Sequence, residues 1–72
     1  MATQNLTIYR SAANTLKTDD DFVAGSKLYV PTSQTPATAA ATGTAGQIAW
    51  DSNYIYVCVA ANTWKRSAIT TW

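Results

Sequence analysis

Residues 46–69, GQIAWDSNYIYVCVAANTWKRSAI, constrain this chain more than any other segment. Ile48, Ala49 and Trp50 are followed by the turn residues Asp51, Ser52 and Asn53. A dense run of β-formers from Tyr54 to Ala60 comes next, then Ala61, Asn62 and Thr63 as a second turn, and a return from Trp64 to Ile69. This order predicts a three-stranded antiparallel meander. Its central strand carries large residues at both odd and even positions, which marks a strand buried on both faces. Three strands cannot cover two apolar faces by themselves, so the pattern points to assembly before it points to chemistry.

With three-residue loops, and Asn53 or Asn62 in the left-handed region that Asn tolerates, Trp50 faces Tyr54 and Ala60 faces Trp64. One face then holds Ile48, Trp50, Tyr54, Tyr56, Cys58, Trp64, Arg66 and Ala68. The other holds Ala49, Ile55, Val57, Val59, Lys65, Ser67 and Ile69. The partition depends on loop length, because a one-residue shift exchanges the faces of a strand.

Length sharpens the case for assembly. A chain of 72 residues is one domain at most. A core of that size rarely supplies more than about 3–5 kcal/mol unless disulfides, a metal or oligomerisation add to it. The chain has one cysteine and no histidine. An intrachain disulfide is excluded, and so are the common zinc sites. Oligomerisation remains.

Charge and hydropathy exclude further classes. The net charge of +1 gives no strong attraction to nucleic acid or to an acidic membrane. No apolar run approaches the roughly 18 residues of a membrane-spanning helix, and MATQNLTIYR lacks the basic start and apolar core of a signal peptide. Abundant Thr, Val, Tyr and Trp favour strands, so the expected fold class is all-β.

The chain divides into three parts. Residues 1–30 hold short apolar clusters: Leu6, Ile8 and Tyr9; Leu16; Phe22 and Val23; Leu28, Tyr29 and Val30. The gaps hold Asn14, the acidic run Asp19, Asp20 and Asp21, and Gly25 with Ser26. The spacing predicts a strand-turn-strand unit; one helical turn over 11–16, capped by Ser11, is the alternative. Residues 31–45, PTSQTPATAAATGTA, have two prolines and many small side chains. They read either as a flexible linker or as an extended crossover against a neighbouring subunit. Residues 46–72 hold the meander.

These residues carry a resemblance. GTAGQIAWDSNYIYVCVAANTWKRSAI resembles a segment that recurs near the C-terminus of tailed-phage fibre and minor virion proteins, and YRSAANTLKTDDDFVAGSKLYV is similar to fibre-shaft units of the same proteins. The resemblance implies a virion structural role in an intertwined homotrimer. Residues 1–30 would attach to other virion proteins of the capsid, fibre or tail, and residues 46–72 would be the oligomerisation or cap part. A small fibre component, a head-decorating protein and an adaptor all fit the length. The implied location is the virion, after synthesis in the host cytoplasm.

The chemistry candidates are few. Asp19, Asp20 and Asp21 offer carboxylates to a hard cation, but calcium takes about six to eight oxygens and the plainer reading is a solvated turn. Trp50, Tyr54, Tyr56 and Trp64 would make a sugar-stacking platform, with Asp51, Asn53 and Asn62 as polar partners. The competing reading packs those rings in a core or subunit interface, through Trp50, Tyr54, Tyr56, Val57, Val59 and Trp64. Arg10, Lys65 and Arg66 are too few for a nucleic-acid surface. Cys58 has no histidine to generate a thiolate and reads as a small buried hydrophobe. Paired-carboxylate chemistry would have to bring Asp51 beside the Asp19 run. The expectation is therefore no enzyme, no cofactor, no metal, no nucleic acid and no membrane insertion. A structural virion protein comes first, and a module binding host-surface glycan through Trp50, Asn53, Asn62 and Trp64 comes second.

Overall fold

Residues 7–72 are described by a computed structural model, and within them the fold is all-β. Strands β1 (Ile8–Ala12) and β2 (Thr15–Thr18) form an antiparallel hairpin. Strands β3 (Ile48–Trp50), β4 (Tyr54–Ala60) and β5 (Thr63–Ala68) form an antiparallel sheet in that order. No helical turn occurs at 11–16. Those residues are the end of β1, its turn and the start of β2. Leu6 lies outside the described residues, and 22–30 belong to no strand.

One tetrapeptide builds both tight turns. Ala12-Ala13-Asn14-Thr15 and Ala60-Ala61-Asn62-Thr63 are identical, and each is followed by an apolar residue and a lysine. Asn14 and Asn62 sit at φ 58° and 53°, the left-handed region that Asn accepts and β-branched residues resist. Thr15 and Thr63 each donate from Oγ1 to the carbonyl two residues back, Ala13 and Ala61, at 3.2 and 3.1 Å. Both hairpins slip by one residue beside the turn, between Arg10 and Ala12 and between Cys58 and Ala60. The second slip places Cys58, not Ala60, opposite Trp64. Cys58 and Ala60 share a parity, so the expected faces of β4 and β5 stand.

The first loop of the meander departs from expectation. Trp50 faces Ile55, not Tyr54, and Ala49 faces Tyr56. The cause is a side chain. Asp51 Oδ1 accepts the amides of Asn53 and Tyr54 at 2.8 and 2.9 Å, the local bonding that makes Asp a turn former. The Asp51 amide in turn donates to the Tyr54 carbonyl at 3.0 Å. The hairpin closes on Ser52 and Asn53, one residue shorter than the three-residue loop. Since side chains alternate, β3 is flipped relative to β4. Ala49 joins Tyr54, Tyr56, Cys58 and Trp64, whereas Ile48 and Trp50 join Ile55, Val57 and Val59.

The segment between the hairpin and the sheet is ordered against the sheet. Its second half, residues 34–47, is a strap over the Ala49, Tyr56, Cys58 and Trp64 face. The Gln34 amide donates to the Trp50 carbonyl at the outer edge of β3, 2.8 Å. At the opposite edge the Trp64 amide donates to Ala39 and the Asn62 amide to Gly43, 2.8 and 3.0 Å. The strap re-enters the sheet at Gly46, whose φ of 92° suits glycine. Beneath it lies the core: Ala49, Tyr56, Cys58 and Trp64, with Ala41 and Tyr54 packed at its rim.

Candidate functional site

The sheet has a clasped face and a bare face, and they differ in kind. On the clasped face Cys58 is wholly buried and Trp64 is 8% exposed. The Trp64 indole donates to the Ala41 carbonyl at 3.0 Å, so its one polar atom is satisfied by the strap. Gly43 is required there. A Cβ at that position would stand 2.8 Å from the Trp64 ring and 2.9 Å from Cys58 Sγ. The Gly43 amide is held by Asn62 Oδ1 at 3.0 Å, so the repeated turn also grips the strap.

A second grip is centred on Asp51. Its Oδ2 accepts from the Thr35 hydroxyl at 2.6 Å and from the Tyr56 hydroxyl at 2.5 Å. With the two loop amides on Oδ1, the carboxylate accepts four hydrogen bonds. The Thr35 hydroxyl foremost, then those of Tyr56 and the Asn53 amide, hold Asp51 well below the usual carboxylate range. The same bond to Asp51, aided by burial, pushes the Tyr56 hydroxyl up. At the rim, the Arg66 guanidinium lies 4.1 Å from the centre of the Tyr54 ring, a cation–π contact. A cleft of about 290 Å³ opens between the strap at Pro36 to Ala39 and the β5 edge at Trp64 and Arg66.

Among the described residues no layer covers the bare face. Ile48, Ile55, Val57, Val59 and Ile69 are exposed, Ile48 to 64%. Trp50 stands at its margin, with its indole donating to the Val30 carbonyl at 2.7 Å.

The six interface candidates are thus divided. Val57, Val59 and Trp50 lie on the bare face. Tyr56 and Trp64 are already covered by the strap, and Tyr54 is half-buried beside Arg66. The four rings of the sugar platform do not share a face: Trp50 is on one side and Tyr54, Tyr56 and Trp64 on the other. Asn53 and Asn62 serve the two turns. Asp19 accepts the Tyr9 hydroxyl at 2.9 Å and Asp20 the Thr7 amide at 2.9 Å, both within the first hairpin. Among the described residues no three acidic or sulfur side chains gather where an ion could sit.

Sequence reasoning missed Thr35 as a gripping residue, and its extended crossover, with Ala39, Ala41 and Gly43, lies against this chain's own sheet rather than a neighbouring subunit. Two signals pointed to these contacts. Asp51-Ser52-Asn53 is a side-chain-closed turn, and the repeated Ala-Ala-Asn-Thr marks a hairpin whose Asn is free to bond outward.

Comparison with known proteins gives partial matches to phage proteins. The chain is 60% identical over 37 residues, 51% of its length, to the capsule K30/K69-specific depolymerase of Klebsiella phage K64-1. It is 52% identical over 46 residues, 62% of its length, to the capsule K30/K69-specific depolymerase 1 of Klebsiella phage K5-2. The matched segments are only 5% and 6% of those proteins. No family model and no solved structure matches. The chain is therefore phage-related, and it is similar to a small part of two much larger proteins.

Proposed function

We propose that this chain is a self-associating structural unit of a tailed-phage fibre or spike, assembled as a homotrimer through its bare sheet face. One observation carries this reading. The core of the described residues is four side chains, Ala49, Tyr56, Cys58 and Trp64, while four large aliphatic residues of the same sheet, and Ile69 just beyond it, are exposed. An isolated chain with that balance falls short of what a small domain needs. Contiguous apolar surface of this kind marks an interaction site. The matches to phage depolymerases support a place on the virion among tail components, attached to other virion proteins. A capsid-decorating or adaptor position is the variant of the same role.

The relatives are named as depolymerases, which are enzymes. In our reading the depolymerising chemistry does not reside in this segment. Asp51, the acid of the sheet, has its oxygens engaged in four hydrogen bonds that hold the fold. The unit acts on neither nucleic acid nor membrane, and no helix among the described residues is long and apolar enough to cross a bilayer.

A second reading, binding of a host-surface glycan, draws on the capsule specificity in the relatives' names and on the cleft beside Arg66. Sedimentation at micromolar concentration tests the first reading. The expected mass is about three times the 7.7 kDa chain. A monomer that melts cooperatively would sink it, and retained capsule binding by such a monomer would promote the second.

A further inference from the structure

The sheet has an unused edge, and the chain has an unused strand. Along β5 the amides of Thr63, Lys65 and Ser67 turn toward β4, so those of Trp64, Arg66 and Ala68 turn outward. The Ile69 amide confirms the phase, donating to Asn53 on the β4 side at 2.9 Å. The strap takes the Trp64 amide through Ala39. Among the described residues Arg66 and Ala68 have no backbone partner. On β3 the corresponding outward carbonyl, Trp50, is taken by Gln34. On β3 the Ile48 amide and carbonyl also turn outward and have no backbone partner among the described residues, so each edge is open in part, β3 at Ile48 and β5 at Arg66 and Ala68.

Residues 27–30, Lys-Leu-Tyr-Val, are rich in β-formers. They belong to no strand and make no backbone–backbone hydrogen bond among the described residues. Leu28 and Tyr29 are 71% and 76% exposed. A strand-forming segment without a partner, beside an edge without a partner, is half of a pairing.

Within its own chain the segment does not lie at the β5 edge. The Val30 carbonyl accepts the Trp50 indole at 2.7 Å, which ties the segment to the β3 side of its own sheet. The open edge of β5 is two strand spacings away, about 10 Å. We propose that residues 27–30 of one copy add to β5 of the next copy at Arg66 and Ala68. The inference rests on the self-associating reading above and specifies its contact. The contact is heterologous, segment to edge, and it closes a ring when the rotation is three-fold. Each sheet is then joined to the next by a borrowed strand. The β5 edge is then no longer left for uncontrolled pairing, and the bare face is free to turn to the inside of the ring.

The test uses the full chain. Leu28→Cys and Tyr29→Cys, neighbours that point to opposite sides of a strand, are each mixed with Ser67→Cys after unfolding and reassembly, then oxidised. The unsubstituted chain, whose only thiol is the buried Cys58, is the control. The expected result is a covalent pair between the two different variants, and a covalent trimer from a chain carrying both Tyr29→Cys and Ser67→Cys. Tyr29→Pro, which removes a ladder donor, should abolish the three-fold mass. A bond within one chain would overturn the proposal. So would a mass that stays three-fold with no bond in any combination, or a trimeric Tyr29→Pro; each of these spares the self-association. A monomeric unsubstituted chain would overturn both.

Discussion

The molecule contains the same hairpin turn twice, and only one copy is clothed. In the first hairpin Leu16 follows Asn14 and Thr15, and it is 75% exposed. In the second, Trp64 follows Asn62 and Thr63 in the same backbone frame and is 8% exposed. Turn chemistry is the same in both, so it cannot be what makes one of them a folding centre. The difference is the strap. Residues 34–47 bring carbonyls to the Trp64 amide and indole, a glycine to its ring and a threonine to Asp51. Among the described residues the β1–β2 hairpin has no such layer and touches none of β3, β4 or β5. An isolated two-stranded hairpin is marginal in water. The difference teaches that local sequence supplies the shape of a hairpin and a covering segment supplies its stability.

The largest expected effect breaks the comparison at its centre. Trp64→Ala removes the main side chain of a four-residue core and should cost about 3–5 kcal/mol, enough to unfold the sheet and abolish assembly. Leu16→Ala, at the matching position of the bare hairpin, should change stability by less than about 0.5 kcal/mol in the isolated chain. The urea midpoint of each variant is the measurement. Equal effects would show that the strap is not what separates the hairpins. A Leu16→Ala effect that appears only in the assembled protein would show the first hairpin to be covered by a neighbour.

Next in size is the strap itself. Gly43→Ala forces a methyl group to within 2.8 Å of the Trp64 ring in a site with no spare space. Overpacking of that kind costs about 1–3 kcal/mol. Gly25→Ala, where nothing lies within 4 Å, is the matched control and should leave the melting temperature nearly unchanged. A silent Gly43→Ala would mean that the strap lifts away readily.

The contrast also explains what the sequence revealed and what it hid. The meander was legible because its turns are written in Asp, Ser and Asn and its strands in β-branched and aromatic residues. The bare face was legible in part: Ile55, Val57, Val59 and Ile69 were grouped correctly from period two alone. Trp50 and Ile48 were assigned to the wrong face, because one carboxylate, Asp51, shortened the first loop by a residue. The strap was the least legible element. Alanines and threonines at 37–45 show no amphipathic period, and their role is to be thin enough for backbone to lie on indole. Interface candidates Tyr56 and Trp64 were drawn to the inside of one chain for the same reason: the covering layer was the segment that resembled a linker.

Asp51 sharpens the comparison through pH. Its folded carboxyl lies well below its unfolded value of about 3.9. A depressed folded value stabilises the native state above the unfolded value, and the contribution is lost as pH falls toward the folded one. The sheet should therefore hold its stability from neutral pH to about pH 5 and lose it progressively below about pH 4. Asp51→Asn keeps the shape without the charge, so its stability should be lower at pH 7 and flatter with acid. Urea midpoints at pH 7 and pH 2.5 measure both. Parallel profiles for the two proteins would remove Asp51 from the clasp.

The smallest effect returns to the two asparagines. Both occupy the left-handed region, so Gly at either position keeps the backbone shape, and its two other effects, relief of strain and a looser unfolded chain, nearly offset. What remains is the side-chain bond. Asn62 Oδ1 accepts the Gly43 amide at 3.0 Å, whereas the Asn14 side chain accepts no hydrogen bond among the described residues. Asn62→Gly should cost about 1 kcal/mol, the net value of one such bond, and Asn14→Gly a few tenths at most. Asn14→Ala should cost about 1–2 kcal/mol, because Ala resists positive φ, and Asn62→Ala about 1 kcal/mol more, because it also loses the bond to Gly43. Four urea midpoints, two glycines and two alanines, separate strain from grip. If the two glycine variants lose equal stability, the second turn is no more than a copy of the first, and the hold on the strap lies elsewhere. If Asn62→Gly alone is weakened, one oxygen atom accounts for part of what distinguishes two otherwise identical turns.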